Sequence, residues 1–307
     1  MSLLVVGTVA FDTVETPFGK AENILGGAGT YIGLSSSYLT KPINIVSVVG
    51  EDFPEKHIQR LKDHGVNTAG IEVVKGGKTF FWAGKYHTDL NSRDTLDTQL
   101  NVLADFNPVI PAEFMNCEYL MLGNLLPDVQ RKVMAQLPNR PKLVVMDTMN
   151  FWMDNFWDSL MEGLKLTDVL TINDEEARQL SGEYSLSKAA KKILTMGPKY
   201  LVIKKGEHGA LLFGEDKVFF APALPLDEVF DPTGAGDSFA GGFIGHLART
   251  GDISFENMKT ALIYGSVMAS FCVEQFGTER LVNLSVEEIN LRIKRFVELS
   301  QFEIPLN

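Results

Sequence analysis

Short apolar runs, most of them unbroken, recur along this chain at 3–6, 43–49, 119–122, 143–146, 169–172, 200–203 and 210–213. A strand with one wet face alternates apolar and polar residues. A run that is apolar at every position has both faces covered, as in a parallel sheet under helices. Stretches with helical spacing separate the runs, at 29–39, 55–64, 128–137, 174–180 and 186–196. This strand–helix repetition predicts a three-layer, doubly wound α/β fold with a mainly parallel sheet. Beyond Asp231 helical spacing takes over, and Ser285-Val286-Glu287-Glu288 reads as a capping box that opens the last helix. With 307 residues, 45% of them apolar, one such domain over 1–307 is expected.

Two segments break the pattern. Residues 13–24 are polar, with Pro17 and Gly19. Residues 71–89 alternate and carry Phe80, Phe81, Trp82 and Tyr86. Both read as antiparallel strands outside the main sheet.

Composition narrows the partners. The net charge of −11 disfavours a nucleic-acid backbone or an acidic membrane. It does not disfavour a nucleotide, because local amides hold phosphates whatever the total charge. The opening Met1–Gly7 stretch reads as a first strand rather than a signal peptide, and no apolar stretch is long enough to span a bilayer, so a cytoplasmic protein is expected. Cys117 and Cys272 lie in apolar surroundings and read as buried free thiols. His57, His64, His87, His208 and His246 are scattered, without metal-ligand or triad spacing; His57 and His64 are expected on a helix surface.

The chemistry concentrates in Asp231-Pro232-Thr233-Gly234-Ala235-Gly236-Asp237-Ser238-Phe239. Ala240, Phe243, Ile244, Leu247 and Ala248 follow at helical spacing, so a helix starts near Ala235 or Gly236. Its free N–H groups and dipole make an anion site. Asp237 falls in that first turn. A carboxylate could simply stabilise the helix dipole from outside, but this leaves two glycines, a Thr and a second Asp unexplained. Phosphoryl transfer to a hydroxyl uses all of them: amides hold the moving charge and the Asp takes the proton.

Other chemistries lack parts. Gly77-Lys78-Thr79 resembles the end of a P-loop, but Glu72 stands where its first glycine belongs. Gly234-Ala235-Gly236 begins a dinucleotide fingerprint, but Phe239 replaces the third glycine. Ser238 lacks a positioned His base for hydrolysis. The alternative that survives is a non-catalytic sugar- or nucleotide-binding protein on the same fold.

The 231–239 stretch closely resembles the C-terminal signature of the ribokinase-like (PfkB-type) sugar kinase family. Gly26-Gly27-Ala28-Gly29, Gly50-Glu51-Asp52 and Asn173-x-x-Glu176 resemble its other motifs, in the right order over nearly the whole chain. The resemblance implies an ATP-dependent kinase of a sugar, sugar phosphate or nucleoside. Gly234, Ala235 and Gly236 would form the anion hole, with Asp237 as catalytic base. Asp12 would hold two acceptor hydroxyls and the Gly26-Gly27 loop would contact the sugar. Tyr31 stands where ribokinase itself has a sugar-binding Asn, which argues against free ribose.

Asn173 and Glu176 would position water on Mg2+ beside the phosphates, as hard oxygen ligands suit. Lys204, Gly206 and Gly209 match the turn beside the nucleotide, and 267–278 the wall of the adenine. Asp231 and Thr233 match oxygens that ligate K+, with carbonyls from the loop around Gly277. The 13–24 and 71–89 segments would form a β lid over the acceptor and offer a surface for a homodimer. Asp147, Asn150 and Asn124, near strand ends, are further candidates.

Overall fold

The structure is a computed structural model that describes residues 1–301 and 303. The remainder of the expected 1–307 domain lies outside the described residues. In chain order the strands are β1 (Leu3–Val6), β2 (Ala10–Thr16), β3 (Gly19–Gly26), β4 (Ile43–Gly50), β5 (Val66–Val74), β6 (Phe81–Tyr86), β7 (Arg93–Gln99), β8 (Tyr119–Leu122), β9 (Leu143–Asp147), β10 (Val169–Asn173), β11 (Tyr200–Lys204), β12 (Ala210–Gly214) and β13 (Lys217–Ala221). The helices are α1 (Ala28–Ser37), α2 (Glu55–Asp63), α3 (Pro127–Gln136), α4 (Asn150–Asn155), α5 (Trp157–Leu164), α6 (Asp174–Ser181), α7 (Leu186–Leu194), α8 (Ala235–Thr250), α9 (Phe255–Cys272), α10 (Glu279–Val282) and α11 (Val286–Ser300).

Nine strands form the main sheet in the order β13-β12-β11-β10-β9-β8-β1-β4-β5. All neighbours from β5 to β11 are parallel, and β12 and β13 close the far edge antiparallel. The expected doubly wound α/β architecture is therefore present. Residues along one strand serve opposite cores. Leu3 and Val5 join Phe243, Ile244, Met258 and Met268 of α8 and α9. Leu4 and Val6 join Val129, Leu160, Ala177 and Ile193 on the other face. Both faces are dry, which explains the unbroken apolar runs. Each such side chain contributes about 1.5–3 kcal/mol relative to remaining exposed.

Chain order reverses at β1, which sends β4 and β5 to one side and β8 onwards to the other. In an open α/β sheet the crevice beyond the carboxyl ends at such a point receives ligands. Beside it buried Gln130 ties the ends of β8 and β9 together, donating from Nε2 to the carbonyls of Gly123 and Asp147.

A second sheet of four strands, β3-β2-β6-β7, forms the lid. It differs from the expected segments. Residues 71–74 belong to β5, the edge of the main sheet, where one wet face produces the same alternation as a lid strand. β7 is exposed at every position and carries no apolar periodicity that would mark it as a strand. The lid is also mixed rather than antiparallel. β2 pairs with β6 in parallel because the β4–α2–β5 unit intervenes between them. α4 and α5 were likewise not anticipated.

His57 and His64 differ from the helix-surface expectation. His57 packs near Phe53 and Phe11, with ring centroids 5.5 and 6.3 Å away. His64 lies 2.8 Å from the carbonyl of Arg60 and 3.1 Å from that of Val282. Cys117 and Cys272 are buried and free, as anticipated. Among the described residues, no helix is long and apolar enough to cross a membrane.

Candidate active site

α8 begins at Ala235, capped by Gly234 in the left-handed region at φ 76°. A Cβ on Gly234 would lie 2.5 Å from the ring of Tyr31, so only glycine fits between that ring and the turn. Ala235 N–H donates to Pro232 O at 3.2 Å and Ser238 N–H to Gly234 O at 2.8 Å. The amides of Gly236 and Asp237 have no partner among the described residues and open onto the crevice end of the helix. Of the expected Gly234-Ala235-Gly236 set, Gly234 N–H is likewise without a partner among the described residues, and Ala235 N–H is the one engaged.

Beside this turn lies a buried cation. Lys204, at the end of β11, places Nζ 3.2 Å from where a Cβ on Gly236 would be, and donates to Asp147 Oδ2 at 2.8 Å. Thr171 Oγ1 donates to the same oxygen at 3.3 Å, and Thr148 N–H to Asp147 Oδ1 at 2.7 Å. Burial works against the ammonium, but Asp147 and Glu176 hold its pKa above the usual lysine value. Lys204, expected in the nucleotide turn, ends β11 just before that turn and also reaches the anion turn, joined to a carboxylate that stood among the further candidates. Their pairing depends on three adjacent parallel strand ends and cannot be read from sequence.

Asp237 faces this cluster. Burial and the charge of Asp147 push its pKa up to about 7, against the pull of Lys204 and Arg93. A base with a pKa near the working pH suits proton transfer. Asp12, 5% exposed, is also raised to about 7, by burial and then Asp231, with the Gly27 amide opposing. Gly26 makes its seat, because any Cβ there would collide with the Asp12 carboxylate. Gly27 has φ 92°, and Thr8 ties down the amides of Ala28 and Gly29. The Gly26–Gly29 turn therefore both packs tightly and shapes the Asp12 site. Tyr31 departs from its expected role. At 1% exposed it supports the anion turn from below and has no free surface for an acceptor, and its hydroxyl has no hydrogen-bond partner among the described residues.

Asn173 caps α6, and Glu176 Oε2 returns to Asn173 N–H at 2.7 Å. Burial and then Asp147 push the Glu176 pKa to about 7. Asp231 is fully buried. Its Oδ1 accepts from Thr233 N–H at 2.8 Å and its Oδ2 from Gly277 N–H at 2.9 Å, so the expected meeting of the two loops is present. No cationic side chain pairs with Asp231 among the described residues, and no group of three His, Cys, Asp or Glu side chains is arranged to hold a metal ion. The donors fit a water-mediated divalent ion at Glu176, whose Oε1 has no protein partner, and a cation held largely by carbonyls at Asp231.

Gly206 (φ 54°) and Gly209 (φ 81°) shape the β11–β12 turn. Gly206 faces Asn91 of the lid and Gly209 packs on Ala221. Asn124 accepts from Trp152 Nε1, and Asn150 donates to Gln179, so both are committed elsewhere.

The lid completes the crevice. Tyr86 accepts from Thr233 Oγ1 at 3.2 Å, so the β6 face carrying Trp82, Gly84 and Tyr86 looks at the anion turn. Trp82 pairs with Asp12 across β2 and β6. Gly84 is required because a Cβ would strike the indole lying across it. A glycine inside an aromatic strand was the available signal for this close approach.

Residues 3–283 match the pfkB family carbohydrate kinases. The chain is 29% identical over 256 residues to a cytidine kinase of Thermococcus kodakarensis, covering 81% of this chain and 89% of that protein. It is 24% identical to a nucleoside kinase of Methanothermobacter thermautotrophicus, covering 99% and 98%. The fold is that of ribokinase-family structures. An E. coli protein described as a ribokinase II, solved with ATP and Mg2+, superposes with a TM-score of 0.79 at 22% identity, covering 96% of this chain and 99% of that one. The nucleoside kinase of Methanocaldococcus jannaschii gives 0.76 at 21%, covering 96% and 98%. Motif order, sheet topology and the match over almost the whole chain agree, and the chain belongs to the pfkB family of carbohydrate kinases.

Proposed function

We propose that this kinase transfers the γ-phosphoryl group of ATP to a hydroxyl of a nucleoside. The observation that carries the reading is the placement of Asp237 beside the unpartnered amides of Gly236 and Asp237 and the Lys204 ammonium. Asp237 accepts the acceptor hydroxyl proton as its oxygen attacks phosphorus. The turn, with Gly234 and Ala235 shaping it, and Lys204 hold the developing charge, in the manner of an oxyanion site. Asp12, seated on Gly26 and Gly27, orients the acceptor hydroxyls.

Two features support a nucleoside over a free pentose. Trp82 stands next to Asp12 and offers a flat ring to a base, and relatives carry the names cytidine kinase and nucleoside kinase. Glu176 and Asn173 would hold water on Mg2+, which supplies charge neutralisation at the phosphates. Asp231 and Thr233 would hold K+, because a buried carboxylate without a cationic side chain favours a bound cation.

One panel tests all of this: kcat/KM with ATP for cytidine, adenosine, ribose and fructose 6-phosphate, with excess chelator and with K+ replaced by a bulky organic cation. A nucleoside should lead, chelator should abolish turnover and K+ should accelerate it. Preference for ribose overturns the acceptor, activity in chelator overturns the Mg2+ role, and equal rates overturn the K+ site.

A further inference from the structure

Residues 273–278 join α9 to α10 without regular structure of their own. The loop nevertheless holds the root of the anion turn at two points. Val273 O accepts from Phe230 N–H at 2.9 Å and from Asp231 N–H at 3.4 Å, and Gly277 N–H donates to Asp231 Oδ2 at 2.9 Å. An irregular segment has no ladder of backbone bonds to fix its place, so other contacts must do it.

Glu274 lies between those two points and is gripped at both oxygens. Arg280 Nε donates to Oε2 at 2.8 Å and Arg292 Nη2 to Oε1 at 2.6 Å. Each arginine is itself secured. Arg280 Nη2 donates to Glu288 Oε1 at 2.7 Å, in the capping box of α11. Arg292 Nη1 donates to Ser270 Oγ of α9 at 3.0 Å. Both guanidinia lie against the ring of buried Phe271, 4.9 and 3.8 Å from its centroid.

Burial sets this cluster apart. Among the ion pairs of the described residues, only Lys204–Asp147 and the two pairs of Glu274 have both side chains less than a quarter exposed. Stability alone does not call for such a cluster, because apolar side chains of similar volume often serve as well as a buried ion pair. What two guanidinium forks add is direction, since charge-assisted hydrogen bonds hold a carboxylate in one orientation.

We propose that Glu274 is a positioning residue for phosphoryl transfer: held by Arg280 and Arg292, it sets the 273–277 loop that places Asp231 and, through it, the anion turn. Helix α11, which carries Arg292 and Glu288, is thereby tied to the reaction. A displacement of about 1 Å in such a site costs up to about 10²-fold in rate. The inference rests on the kinase reading and adds to it a residue that acts only through the loop.

The test compares wild type with Glu274→Gln, Arg292→Lys and the apolar pair Glu274→Leu/Arg292→Met. Glu274→Gln should lose kcat by about 10-fold to 10²-fold, while KM for the acceptor stays nearly constant. Arg292→Lys keeps the charge but not the fork and should fall between. The apolar pair should regain the melting temperature of wild type and stay as slow as Glu274→Gln. Hydrogen exchange gives a readout independent of turnover. In Glu274→Gln the amides of Asp231 and Gly277 should exchange about tenfold faster, the weight of one charge-assisted hydrogen bond, with those of β9 unchanged. Full turnover in Glu274→Gln overturns the inference. So does an apolar pair that regains rate together with stability, and so does faster exchange spread evenly over the fold. If the apolar pair fails to fold, the exchange pattern of Glu274→Gln and the rate of Arg292→Lys decide. Wild type without ATP turnover on any acceptor overturns the kinase reading instead, and the exchange pattern still decides whether Glu274 sets the loop.

Discussion

The floor of the crevice and the lid above it are built on opposite terms. On the floor three carboxylates are pinned. Asp147 is held by Lys204, Thr171 and the Thr148 amide, Asp231 by two backbone amides, and Glu176 by the capping box it closes. The lid meets the body through side-chain contacts such as Tyr86 on Thr233, Phe11 against Phe53 at 5.2 Å, Phe18 against Phe230 at 5.5 Å and the Asn91 turn against Gly206. β7 contributes no buried residue at all. Groups that must hold a transition-state geometry gain from rigidity, whereas a cover that admits and releases substrate must open at low cost. The contrast places chemistry below and selectivity above.

The largest expected effect breaks the floor. Asp237→Asn keeps the shape and removes the base, so kcat should fall about 10²–10⁴-fold with nucleotide affinity preserved. In wild type kcat/KM should rise with pH through an acid limb near 7, to which Asp12, Glu176 and Asp237 all contribute, and the variant should lose the Asp237 share and show a shallower limb. The linkage has the opposite sense for stability. The folded pKa is raised from 3.8 to about 7, so the neutral form is favoured in the fold. That contribution is complete below pH 3.8 and is lost as pH rises through about 7. Asp237→Asn should therefore melt higher than wild type at pH 8, with the gap closing near pH 4. Near-normal turnover in the folded variant would remove Asp237 from the mechanism.

An effect of similar size is expected in stability rather than rate. Lys204→Met strands Asp147 as a buried charge, which typically costs about 3–5 kcal/mol. Adding Asp147→Asn should recover much of that loss. Denaturant titrations of both proteins measure it, and a single variant as stable as wild type would show that the floor is not held by this pair.

The smallest effect probes the lid. Tyr86→Phe deletes one lid–floor hydrogen bond, worth about 0.5–1.5 kcal/mol. It should lower kcat/KM by a few-fold and leave the melting temperature unchanged. A stability loss as large as that of Lys204→Met would erase the distinction between the two regions.

The sequence by itself determined the architecture and the reactive turn. Short unbroken apolar runs recurring between helical stretches fit strands dry on both faces, and Leu3 to Val6 are such a strand. Glycines followed by an apolar helical stripe can only open a helix, and α8 starts at Ala235 as the spacing requires. The capping boxes at Asn173 and Ser285 are equally local, each closing within four residues.

Tertiary structure decided the rest, because the remaining relations join residues far apart in the chain. Lys204 meets Asp147 only once β9, β10 and β11 lie side by side. Tyr31 occupies a position that reads as substrate contact, yet it is sealed under Gly234 because α1 packs against α8. β7 has no pattern of its own, since an edge strand with both faces wet needs no apolar residues. Periodicity is a local property and is written along the chain, whereas charge pairing depends on distances that only packing sets.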